Sequence, residues 1–158
     1  MRQRGFSLIE LLIVVAIILV IAAIALPNLI NSRIAANEAS AITSIRAINT
    51  AQVAYAVTYP TKGYAIDLAK LGSDGSGIAS SDHAELLDWV LGCPTQPCPK
   101  SGYQFQIPIA SGNPVDSYSV VGTPISLGIT GHRGFCSNNM NPVRADPNGG
   151  TSCTADLQ

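Results

Sequence analysis

A single carboxylate, Glu10, stands inside an apolar run, and it poses the first chemical question. From Phe6 to Leu26 the chain holds 21 residues, of which only Ser7 and Glu10 are polar. Arg2 and Arg4 precede the run, and no acid stands before Glu10. A carboxylate placed in hydrocarbon without a partner is costly because it loses its hydration. For one isolated chain, Glu10 snorkels to a membrane surface about one turn away. A second option opens if the chain is cut after Gly5, because Phe6 then gains a free ammonium group. In its own helix that charge opposes the dipole, whereas Glu10 one turn on favours it. Beside a second such helix, the ammonium of one subunit can pair with Glu10 of its neighbour. Removing one partner of a buried pair costs ~3–5 kcal/mol, so the pair would set the register of an assembly.

The other chemistry-bearing residues are sparse. Four cysteines, Cys93, Cys98, Cys136 and Cys153, all follow the apolar run. Four cysteines allow three pairings. In an oxidising compartment disulfides form, and we expect neighbours to pair, Cys93 with Cys98 and Cys136 with Cys153. The second bridge closes an 18-residue span, worth about 3 kcal/mol on the loop-entropy model. Zinc is the rival reading, but C-x4-C is not the usual C-x2-C knuckle, and only His83 and His132 are available as further ligands. Asp146 and Asn148 beside glycines carry a hint of calcium, yet the EF-hand pattern is absent and "DPNGG" is ordinary turn chemistry. There is no G-x-S-x-G, H-E-x-x-H or P-loop. We therefore expect no enzyme activity, no metal and no cofactor. A net charge of -1 offers no basic stripe for phosphates, which argues against a nucleic-acid partner.

The elements that position these residues follow from periodicity. Extended through Ile30, the apolar run covers 25 residues, roughly 37 Å of helix and enough to cross a bilayer. The positive-inside rule keeps the N-terminus cytoplasmic and sends residues 31 to 158 across. A cleaved secretory signal fits poorly, because the positive stub is short, the run is long and no A-x-A-like site follows. Beyond Pro27 the helical pattern continues, with no Gly or Pro from Asn28 to Tyr59. Ile34, Ala41, Ile42, Ile45, Ile48, Tyr55 and Tyr59 form one apolar stripe, with a seven-residue gap on each side of the central cluster. Pro60 should end the helix at Tyr59. Pro27 removes one hydrogen bond, to the Ala23 carbonyl, and reads as a kink at the membrane exit or as a hinge.

Residues 60 to 101 read as a connector with short helices. Asp67 and Gly72 bracket the first. Residues 72 to 77 are turn formers and read as an exposed loop. Residues 82 to 92 read as a helix with Asp82 as N-cap, Glu85 in the capping-box position and Leu86, Trp89 and Val90 as its core face. From residue 102 the pattern alternates. Strands are expected at 102–109, with Tyr103, Phe105 and Ile107 on one side, at 116–122, and more weakly at 132–138 and 142–146. An antiparallel sheet must bury one face, and the striped half of the helix offers the partner. The expected fold is α+β: a long helical spine, half apolar all round and half amphipathic, packed on a C-terminal antiparallel sheet as a lollipop. The expected segments are 1–5, a leader; 6–30, the apolar helix; 31–59, the amphipathic helix; 60–101, the connector; and 102–158, the sheet with a disulfide-closed end.

The stretch "RGFSLIELLIVVAIILVIAAIALP" resembles the class III signal of type IV pilins and type II secretion pseudopilins. It combines a basic stub, Gly5 before Phe6, Glu10 five residues into the mature chain, and Pro27 near the end of the run. The resemblance implies that a prepilin peptidase cuts between Gly5 and Phe6 and methylates the new Phe6 amine. It implies that Glu10 meets a neighbouring N-terminus during assembly, and that the Cys136–Cys153 segment is the disulfide-closed region of many pilins. Many members carry a glycine where this chain has Leu19, so Pro27 alone remains as a helix breaker. The implied partners are further copies of the chain, the prepilin peptidase, an inner-membrane assembly platform, an outer-membrane secretin and, before assembly, the membrane. The implied location is the inner membrane and then an extracellular filament. A secretion pseudopilin or a minor pilin is the runner-up. A membrane-tethered binding protein that never polymerises is the third reading.

Overall fold

A computed structural model describes residues 6–140 and 142–156. Gly5, the arginines before it and the rest of the 1–5 leader lie outside the described residues. The chain divides into two compact units, Met1–Arg33 and Ile34–Gln158.

Helix α1 runs Leu8–Thr58 without interruption, including across Pro27. It begins two residues after the expected start and ends one before Tyr59, whose N–H still bonds to the Tyr55 carbonyl at 2.8 Å. Several hydroxyls along its exposed face bond back to their own helix, Thr43 to Ala39, Thr50 to Arg46 and Thr58 to Ala54. This local bonding lets polar residues sit mid-helix without leaving their donors unused.

In the second unit the buried stripe of α1 contains Ile34, Ala41, Ile45, Ile48 and Tyr55, and both gaps in the apolar pattern are filled by buried polar residues. Glu38 lies between Ile34 and Ala41, and Gln52 between Ile48 and Tyr55. The Gln52 amide grips the Ala65 backbone, donating to its carbonyl at 2.9 Å and accepting from its N–H at 2.7 Å. The connector is thus fastened to the helix by a side chain that satisfies backbone groups which would otherwise be orphaned.

The sheet is an antiparallel meander of six strands in sequence order. They are β1 Cys98–Lys100, β2 Tyr103–Gly112, β3 Val115–Pro124, β4 Gly134–Asn138, β5 Arg144–Asp146 and β6 Ala155–Asp156. The long β2–β3 hairpin carries the alternation seen in the sequence. Tyr103, Phe105 and Ile107 of β2, Tyr118 and Val120 of β3, and Phe135 of β4 are buried in one cluster with Ile45 and Ile48 of α1. Gln96 ties the connector to this sheet, donating to the Ile107 carbonyl and accepting its N–H, both at 3.1 Å.

The connector departs from expectation in one place. Residues 67–72 form a single 3-10 turn, Ala69–Leu71, with Asp67 accepting the Lys70 N–H at 2.9 Å. Residues 82–92 do not form a helix. Their N–H groups are spent on that 3-10 turn: Ala84 donates to Lys70, Glu85 to Gly72, and Leu86 and Leu87 to Leu71. Glu85 takes a positive φ of 55° and bonds Ser73, so it caps nothing, while Asp82 pairs with Lys70. The core residues shift accordingly. Ala84, Leu87 and Leu91 are buried, while Leu86, Trp89 and Val90 are 37%, 60% and 44% exposed. Tertiary backbone pairing here overrides a capping signature whose helix would be short and marginal.

The cysteines are joined as Cys93–Cys98 and Cys136–Cys153, with Cα–Cα separations of 5.6 and 5.9 Å. The second bridge ties β4 to the segment before β6. Replacing Cys136 and Cys153 together with serine should lower the melting temperature of the full chain in detergent by roughly 10 °C, from the ~3 kcal/mol of loop entropy the bridge removes. Circular dichroism melts of the oxidised protein and the double variant check this. Equal melting temperatures would count against it.

Candidate functional site

The apolar half of α1 is the part of the molecule whose surface demands a partner. Every large apolar side chain from Phe6 to Ile30 is exposed, Phe6 at 82%. The helix is long and apolar enough to cross a membrane. Such a surface needs an apolar environment, either lipid or more apolar protein.

Glu10 has a local role that the sequence reading missed. Its Oε2 accepts the Ser7 N–H at 2.9 Å, and the Leu11 N–H reaches the Ser7 carbonyl at 3.3 Å. With Leu8 as the first helical residue, Ser7 is the N-cap and Glu10 the third residue, so this is one half of a capping box. The signal was present as S-x-x-E at 7–10. A carboxylate has about four lone-pair sites, so the bond leaves capacity for a cationic donor. Glu10 is therefore held at the head of its own helix by one hydrogen bond.

Pro27 lies in the helix interior. It has no N–H for the Ala23 carbonyl. Side-chain donors serve neighbouring carbonyls: Asn28 Nδ2 reaches Ile24 at 3.4 Å, and Ser32 Oγ reaches Asn28 at 2.8 Å. These bonds are alternatives to the backbone ladder in the stretch the proline weakens.

The other residues singled out in the sequence are engaged in local structure. The His83 N–H bonds Ser80 Oγ. The His132 N–H donates to Glu38 Oε1 at 3.0 Å. Asp146 is buried and accepts the N–H groups of Asn148 and Ser152 at 2.9 and 3.0 Å, closing the turn before β6. Among the described residues no group of three or more His, Cys, Asp or Glu is placed to hold a metal ion.

Glu38 is the polar keystone of the second unit. Its Oε1 accepts from the backbone of His132 and Arg133, and its Oε2 accepts from Arg133 Nε and Nη2 at 2.9 and 2.7 Å. Its side chain is 9% exposed. Burial pushes its carboxyl up, but the His132 N–H, the Arg133 guanidinium and the Arg133 N–H together hold it below the ordinary value of 4.5. A depressed carboxyl stabilises the fold above its unfolded pKa, and that contribution is lost as pH falls through the folded pKa. The backbone N–H of Leu91 and the Lys100 ammonium lower Asp88 in the same sense. At the other end, burial pushes the Tyr118 hydroxyl up to about 12. A raised phenol contributes stability that is fully present below its ordinary value of 10 and is lost as pH rises from there through about 12. The melting temperature should therefore plateau between these limits and drop below pH 4.5. Glu38→Gln should shrink the acid drop without abolishing it, as a pH series of thermal melts would read. An unchanged acid limb would contradict the assignment.

Residues 1–26 match the family model described as the prokaryotic N-terminal methylation motif. A relative from Myxococcus xanthus, named type IV major pilin protein PilA, is 50% identical over 54 residues, 34% of this chain and 24% of the relative. The matched stretch thus spans about a quarter of that relative's length. No solved structure matches the chain.

Proposed function

We propose that this chain, a type IV pilin by its motif and its relative, is the structural subunit of an extracellular filament. The observation that carries the reading is an apolar helix whose large side chains are all exposed, with one carboxylate fixed at its head. Prepilin peptidase cleaves between Gly5 and Phe6 and the Phe6 amine is methylated. The new ammonium, still cationic after one methylation, then pairs with Glu10 of the adjacent subunit. Repetition of one heterologous contact that does not close gives a fibre rather than a ring. Apolar helices form its centre and the globular units its outside.

Before assembly the same helix anchors the precursor in the inner membrane, with residues 1–5 cytoplasmic. Assembly would then draw on a membrane platform and an outer-membrane secretin. A type II secretion pseudopilin or a minor pilin is the second reading. The Cys136–Cys153 bridge favours the pilin, because major pseudopilins often rely on calcium in that region.

Electron microscopy of fibres sheared from cells, with intact-mass measurement of their subunit, tests the proposal. The expected subunit lacks residues 1–5 and carries one added methyl. A chain that keeps residues 1–5 and is absent from fibres would favour a tethered, non-polymerising protein.

A further inference from the structure

Four segments of the second unit are locked around a recess of about 300 Å3. The Tyr64 N–H donates to the Val115 carbonyl and the Val115 N–H to the Lys62 carbonyl, both at 2.9 Å. This pair fastens the start of the connector to the tip of the β2–β3 hairpin. Gly63 stands at the contact with a φ of +77°, and a Cβ there would run into the Val115 backbone. The Tyr55 hydroxyl ties α1 to the 81–82 segment, donating to the Ser81 carbonyl at 2.6 Å. The Tyr64 ring meets Tyr118 edge-on, with centroids 4.8 Å apart, which stiffens one wall further. The recess is thus formed before any ligand arrives, at the small end of the sizes that hold ligands.

Its charged groups are of both signs. Lys70 and Asp82 line it and pair at 2.7 Å. The Lys70 ammonium, and more weakly Lys62, hold the Asp82 carboxyl below its ordinary value of 3.8, so it is an anion at neutral pH. Lys62 also lines the recess and makes no ion pair among the described residues. Two ammonium groups against one carboxylate leave an excess of positive charge, which favours an anionic ligand. Asp82 restricts the choice. Its Oδ1 is taken by Lys70, but a carboxylate has about four lone-pair sites, so it still accepts from hydroxyl donors. A phosphodiester brings no donor and would meet Asp82 only as a like charge. A hydroxylated carboxylate satisfies both groups at once. Ile66, 50% exposed, offers an apolar side for the C–H face of a sugar ring. Thr61 and Asn113 add further hydrogen-bonding groups to the lining.

We propose that this recess binds an acidic sugar, a hexuronic acid unit of a polysaccharide, with its carboxylate on Lys62 and its hydroxyls on Asp82. The site belongs to one folded chain and does not depend on polymerisation. Repeated along the filament proposed above, weak sites would sum to avidity for an acidic polysaccharide. That gain alone rests on the filament.

Calorimetric titration of the full-length chain in detergent with trigalacturonate provides the test. Saturable binding with a Kd of about 1 mM is expected. Trigalactose, which lacks the carboxylates, should bind roughly tenfold more weakly. Lys62→Gln should weaken trigalacturonate binding by a similar factor, roughly tenfold, because it removes a charge-assisted contact. The fold should survive that change, since Lys62 is held by its backbone carbonyl. Lys100→Gln makes the same charge change outside the recess, where Lys100 pairs with Asp88, and should leave the Kd as it is. Sulfate at matched ionic strength should not bind the native chain, and Asp82→Asn should admit it. The absence of saturable trigalacturonate binding overturns the proposal, as do equal effects of Lys62→Gln and Lys100→Gln. Binding of sulfate or of a short oligothymidylate as tight as that of trigalacturonate would assign the recess to anions at large and overturn the sugar. Fibres play no part in the titration, so a negative result leaves the filament reading standing, and a chain that forms no fibres leaves this site standing.

Discussion

Glu10→Gln is expected to leave the chain folded and in the membrane while fibre yield falls to near nothing. The substitution separates two roles of one side chain. Glutamine serves the capping box as glutamate does, so the bond to the Ser7 N–H and the start of α1 survive. Only the charge is lost, and with it the partner proposed for a neighbour's Phe6 ammonium. Leaving that cation unpaired among apolar helices costs ~3–5 kcal/mol, a factor of roughly 10²–10³ or more in each subunit addition. The cost recurs at every step of elongation, so the critical concentration rises by the same factor. Glu10→Ala loses the cap as well, and should fray the first turn by ~1 kcal/mol in addition. Fibres sheared from cells and compared by immunoblot with the membrane-bound pool measure the effect. Normal yield with the glutamine variant would mean that Glu10 only caps its own helix.

The second large effect is expected at Glu38→Ala, in folding rather than assembly. The side chain accepts four hydrogen bonds, two of them from the backbone of His132 and Arg133. Truncation leaves both N–H groups without that acceptor and the guanidinium without its anion. The Arg133 side chain is 45% exposed and can turn to water, which keeps the cost near the lower end of the buried-pair range, about 3–4 kcal/mol. Denaturant melts of the full chain in detergent should show it as a lower midpoint. Arg133→Ala should cost less, because Glu38 keeps its two backbone donors. Equal effects of the two substitutions would shift the weight from the backbone bonds to the ion pair.

Glu38 also shows where sequence reasoning reached its limit. The 3.6-residue period made the long helix legible, and the period-2 alternation located β2 and β3 within a few residues. The gaps in the helical stripe looked like interruptions. They are the positions where the buried face turns polar, at Glu38 and Gln52, to bind backbone far away in sequence. Nothing local distinguishes such a residue from a solvated one. The 82–92 segment failed for the opposite reason. Its local capping signals were good, but its N–H groups are taken by residues 70–72. Strands β1 and β6 span three and two residues, too short for alternation to register. At the apolar head, S-x-x-E at 7–10 is the spacing of a capping box, and it is legible without any structure. Glu10 as an anomaly was legible because a lone acid in 21 residues of grease needs no structure to be seen.

The most direct test of the filament account is an electron cryo-microscopy map of sheared fibres at side-chain resolution. The account predicts density for a methylated Phe6 amine within about 4 Å of Glu10 from an adjacent subunit, repeated along the fibre. A map in which Glu10 touches only its own Ser7, with the neighbour's N-terminus elsewhere, would contradict it.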